Sequence, residues 1–100
     1  MIIPDDPFVR ELLPEFIDSW IDELTNNFPK LFEEKNSSEL YRMAHTMKGS
    51  CYQFGLSELG DIGTELMLLI KNTEWDKVEN QCNYVLSKLV EYKEYLKENL

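Results

Sequence analysis

The sequence predicts an all-α protein, an antiparallel up-down four-helix bundle with a short extra helix at its N-terminus. Two observations carry that expectation. Apolar residues recur at spacings of three and four along most of the chain, and no stretch alternates with period two for long. Prolines, glycines and cap residues then cut the pattern into long segments joined by short breaks, as consecutive antiparallel helices require. No repeat, low-complexity tract or linker interrupts it, so residues 1–100 are expected to form one domain.

The elements follow in order. Asp6 before Pro7 reads as an N-cap with proline at the first helical position, opening a short helix to about Leu12. Pro14 is expected to bend or restart the chain. From there to about Phe28, the residues Phe16, Ile17, Trp20, Ile21, Leu24 and Phe28 form an apolar stripe, and Pro29 kinks the chain or begins a further turn. Asn36 with Glu39, or Ser37 or Ser38, caps a second long helix that Gly55 stops in the left-handed region near Phe54. Ser57 is expected to cap a third helix, with Leu59, Ile62, Leu66, Leu69 and Ile70 inward and Gly60 and Gly63 permitting close approach. Thr73 with Asp76 reads as a capping-box variant for the last helix, whose seam is Trp75, Val78, Cys82, Val85, Leu89, Tyr92 and Leu96.

A chain of 100 residues with 43% hydrophobic content can bury a core without metals or disulfide staples. Its formal net charge of -9 argues against nucleic acid and anionic membrane surfaces as partners, and favours proteins with basic patches. Cys51 and Cys82 fall on apolar stripes without metal or redox spacing, as buried thiols of a reducing compartment do. "MIIPDDPF" is too short and too acidic for a signal peptide, and the longest apolar run, Leu66 to Ile70, cannot span a bilayer. The expected setting is cytoplasmic, and the initial methionine suits a standalone protein.

One stretch, "AHTMKGS" from Ala44 to Ser50, holds the only histidine. On a helical wheel with Leu40 at zero, Ala44, Met47, Cys51 and Phe54 fall within about 40°, and His45 lies about 140° away. The apolar stripe is complete without the imidazole, which faces solvent. Lys48 and Gly49, three and four residues on, border it on the helix surface. A mid-helix glycine costs roughly 1 kcal/mol against alanine. Clearing space beside the ring for an approaching protein would compensate. A neutral imidazole keeps one ring nitrogen free as a nucleophile, and an ammonium beside it can neutralise a phosphoryl group. Reversible phosphorylation of histidine asks for that combination.

The stretch "AHTMKGSCYQFGLSELGDIGTEL" resembles the signature of the histidine-containing phosphotransfer family, whose core reads His-x-x-Lys-Gly-Ser with a helix-closing glycine soon after. His45, Lys48, Gly49, Ser50 and Gly55 occupy those places. "DPFVRELLPEFIDSW" is similar to the lead-in of one bacterial subgroup. The resemblance implies that His45 accepts a phosphoryl group from the aspartate of one receiver domain and passes it to another. Lys48 would support the group electrostatically and Gly49 would give access. It also implies partners among the receiver domains of response regulators and hybrid sensor histidine kinases, with magnesium supplied by the receiver and no cofactor on this chain. Ser50 is read as a local hydrogen-bonder. Arg42 adds positive charge to the docking face. Tyr41 and Tyr52, near His45 on the wheel, are either contact residues or partly buried aromatic edges, and Tyr52 and Phe54 can also lie against the neighbouring helix near the glycine turn.

No Walker loop or glycine-rich nucleotide loop is present, so ATP binding and self-phosphorylation are not expected. The main rival is a non-catalytic helical adaptor that binds receivers without carrying phosphate. An acidic anti-sigma or DNA-mimicking protein draws only on net charge, and one histidine without spaced partners makes no metal ligand set.

Overall fold

The computed structural model describes residues 1–100 as four helical rods around one core. The first rod comprises α1 (Pro7–Asp22), a π-helical turn (Glu23–Asn27) and α2 (Phe28–Glu33) in direct succession. Then come α3 (Ser37–Gln53), α4 (Ser57–Lys71) and α5 (Trp75–Asn99). Three-residue loops join the rods and turn each back on the one before. The 25 residues of α5 correspond to about 37 Å of helix, matching the 38 Å long axis of the molecule. No helix is long and apolar enough to cross a membrane.

The all-helical bundle is the one expected, but the short N-terminal helix is not a separate element. Asp6 caps the chain as predicted, its carboxylate accepting from the Phe8 N–H at 2.9 Å, and α1 then runs through Pro14 without a break. Pro14 and Arg10, whose carbonyl loses its donor, are both exposed, so the break in the hydrogen-bond ladder falls on the solvent side of the helix. Leu13 and Ile17, fully buried on either side, hold the helix in line. Pro29 acts upstream of itself instead. Its ring would strike the carbonyl four residues back, and the chain widens there into the π turn, with the Phe28 N–H reaching the Glu23 carbonyl. The amides of Asn26 and Asn27 donate to Asp22 and Glu23 at 2.6 and 2.7 Å along that turn.

The three loops are built alike. Leu31, Cys51 and Leu69 carbonyls accept from the N–H groups of Asn36, Leu56 and Glu74, five residues on, at 2.8–3.0 Å. The residue before each donor, Lys35, Gly55 or Thr73, takes positive φ of 52°, 76° or 54°. Gly55 does so as predicted. Thr73 is therefore the C-terminal closure of α4 rather than a cap for α5, and its hydroxyl donates to the Asn72 carbonyl at 2.7 Å. Ser57 is likewise no cap. The N-cap of α4 is Leu56, which gives no side-chain hydrogen bond and is buried. Asn36 does cap α3, accepting from the Glu39 N–H at 3.2 Å. Lys35 is held over the Phe32 ring at 3.8 Å, which offsets its left-handed backbone.

The core contains only apolar side chains: Leu13, Ile17, Trp20, Leu24 and Phe28 from the first rod, and the expected stripes of α3, α4 and α5. Phe16, Ile21, Phe54, Trp75 and Tyr92, all expected inward, sit half-buried at its edges. Two inter-rod ties position α3. Phe16 stacks on Phe54 with ring centroids 3.9 Å apart, fixing α1 against the end of α3. Gly63 brings α4 against the backbone of α3. A Cβ there would stand 2.7 Å from the Lys48 nitrogen and 3.1 Å from the Ala44 carbonyl oxygen.

Candidate functional site

The buried stripe of α3 is Leu40, Met43, Ala44, Met47 and Cys51. His45 is exposed on the other side, as the wheel requires. No side-chain hydrogen bond or ion pair engages its ring or the ammonium of Lys48. Both are thus uncommitted within the molecule, although the chain carries 19 Asp and Glu side chains. Lys48 is half-buried on the flank turned to α4. Gly63 packs directly behind the Ala44–Lys48 backbone, so the turn bearing the imidazole rests on a second helix.

Gly49 differs from the chain's other glycines. Gly60 and Gly63 are buried and Gly55 has positive φ, but a Cβ at Gly49 would meet nothing within 4 Å. No contact or backbone conformation inside the molecule asks for glycine there. The cleared space opens outward beside the ring.

His45, Lys48, Gly49, Tyr41, Arg42 and Tyr52 share one side of α3, an arc of about 120° on the wheel. Tyr41 and Tyr52 are 39% and 42% exposed, so each ring is partly covered and still reaches the surface. Arg42 stands 3.7 Å from Glu39 in an exposed pair of little strength. The Ser50 hydroxyl donates to the Thr46 carbonyl at 2.7 Å, a local bond as expected.

Tyr52 lies against the neighbouring helix. Its ring lies across Gly60 of α4, and its hydroxyl donates to the Asp61 carboxylate. That hydrogen bond, with smaller contributions from desolvation and the Asp61 charge, raises the phenol above the ordinary tyrosine range. Gly60 was legible as a point of close approach, but its occupant depends on the register between α3 and α4, which no local pattern encodes.

On the opposite flank, past Arg42 and Thr46, a groove of about 650 Å³ separates α1 from α3. Leu12, Phe16, Trp20, Met43 and Phe54 line it, and Glu15, Glu23 and Glu39 contribute carboxylates. No group of three or more His, Cys, Asp or Glu side chains converges anywhere to hold a metal ion.

No curated protein and no solved structure matches the chain. A family model does, that of the Hpt domain, over residues 10–98. The match takes in all four rods and the His45 turn, and it ties the protein to phosphorelay-related histidine phosphotransfer and to receiver domains as the class of partner. The chain belongs to the Hpt domain family.

Proposed function

We propose that this chain is a phosphoryl carrier, with His45 as the phosphoacceptor between receiver-domain aspartates. The observation that supports it most is the exposed His45 ring, free of internal partners, beside an unpaired Lys48 and the open space at Gly49. A neutral ring nitrogen attacks the phosphorus of a receiver's aspartyl phosphate in line. The N–P bond forms as the P–O bond to the aspartate breaks, and the carboxylate leaves with the electron pair. Lys48 stabilises charge on the transferred group, and transfer to a second receiver reverses the step. The receiver supplies magnesium and the acidic residues around it; this chain supplies the nucleophile, one cation and the docking surface.

A standard interface covers about 800 Å² on each partner, a disc about 30 Å across. Centred on His45, it takes in Tyr41, Arg42 and Tyr52 and reaches the rim of the α1–α3 groove. The carboxylates along that groove favour a partner with basic residues on its docking face.

The test is incubation with a phosphorylated receiver, followed by assay for acid-labile, alkali-stable label. Wild type should be labelled and His45→Gln should not. Equal labelling of both ends the carrier reading. Binding of both without transfer in either supports an adaptor that holds receivers without carrying phosphate.

A further inference from the structure

Tyr52 lies two helical turns beyond His45, about 20° round the wheel and about 10 Å along the axis. A protein docked over His45 therefore covers it. Surface tyrosines ordinarily sample several rotamers, and freezing such a side chain on docking costs roughly 2- to 12-fold in affinity. Tyr52 is held before any partner arrives. A Cβ on Gly60 would stand 2.6–2.8 Å from the Cε1, Cδ1 and Cζ atoms of the ring, so the ring occupies the place of a missing side chain. The phenol is anchored at its far end by Asp61. Neither Gly60 nor Asp61 has a role in the phosphoryl chemistry proposed above.

We propose that Gly60 and Asp61 of α4 are positioning residues that hold Tyr52 as a preset aromatic contact for the protein docking over His45. A tyrosine fixed in this way presents a large amphipathic ring at little entropic cost, which suits it to the edge of an interface. The proposal rests on the carrier reading. It differs from a merely structural tie between α3 and α4 because its effect falls on docking and leaves the reactivity of His45 alone.

Transfer kinetics of the full chain separate the two. The donors are a phosphorylated receiver that labels wild type, and phosphoramidate, a small donor with no docking surface. Asp61→Ala, which frees the phenol, and Gly60→Ala, which pushes the exposed ring aside, should each raise KM for the receiver about 3- to 10-fold. Their kcat should stay within about twofold of wild type, and labelling by phosphoramidate should not change. Asp61→Asn keeps an acceptor and should restore KM. Tyr52→Ala should raise KM at least as far as Asp61→Ala. A wild-type KM for Asp61→Ala or Tyr52→Ala overturns the proposal, as does an equal loss with both donors. If no phosphorylated receiver can be found that labels wild type and phosphoramidate does not label it either, the carrier reading fails by itself. The same variants are then compared by receiver Kd, where weakening by Asp61→Ala and recovery in Asp61→Asn sustain the positioning role, and no difference ends it.

Discussion

Gly49→Ala should make the protein more stable and a poorer phosphoryl carrier. Position 49 lies well inside α3, four residues before its end, exposed and with helical backbone. Beyond its own helical backbone the new methyl group meets nothing within 4 Å, so no packing penalty opposes the gain in helix propensity. That gain is about 1 kcal/mol, and for a domain of this size it raises Tm by about 4–8 °C. The same methyl occupies the space beside the imidazole through which, on the carrier reading, a partner approaches. Misplacing reacting groups by about 1 Å costs up to on the order of 100-fold in rate. Urea unfolding measures the first effect, and the rate of label transfer from a phosphorylated receiver measures the second. Transfer should fall for alanine and fall further for Gly49→Gln. A loss of stability would show that the space is not open. A gain in stability with wild-type transfer, in both variants, would refute the idea that the glycine serves access.

Gly63→Ala should do the reverse and destabilise by about 1–2 kcal/mol in urea. Its Cβ would press on the rigid backbone of Lys48 and Ala44, and overpacking of that kind outweighs the propensity gain. Thr73→Gly should stabilise by about 1 kcal/mol, because an exposed β-branched residue is held at φ 54° and its hydroxyl bonds only the neighbouring Asn72 carbonyl; an unchanged urea midpoint would contradict this. Met47→Asp, at a fully buried seam position, should cost at least about 4 kcal/mol and abolish the cooperative melt; a wild-type melt would overturn the assignment of the buried stripe. Burial pushes the Cys51 and Cys82 thiols up to about 12. Between the ordinary thiol value near 9 and about 12, the unfolded chain releases these protons while the folded chain keeps them. Stability should therefore fall as pH rises through that window, by up to about 1.4 kcal/mol per pH unit for each thiol. Below it, neither thiol should react with a thiol probe until the chain unfolds.

Most of the bundle was legible because each long helix carries its own apolar period. The stripes of α3, α4 and α5 could be read residue by residue, and the outward direction of His45 followed from Leu40, Ala44, Met47 and Cys51 alone. Errors gathered where a local signal had a second meaning. Pro14 reads as a helix break, yet burial of Leu13 and Ile17 carries the helix through it. Thr73 and Ser57 are cap-type residues, but the three-residue loops are closed by backbone hydrogen bonds that need no side-chain cap. The contacts around Gly60 and Gly63 belong to the pairing of two helices, and the wheel of either helix alone is silent about them.

The core of this protein holds no polar side chain, and all six residues of the candidate face lie outside it. Folding information and signalling information are thus written on opposite sides of one helix. On the carrier reading, substitutions that redirect the protein to a new receiver can accumulate at Tyr41 or Arg42 without drawing on the bundle's stability, whereas Tyr52 is also tied to α4. Kinship between two such proteins would then survive longest in the buried stripe, while allegiance to a partner is rewritten on the surface above it.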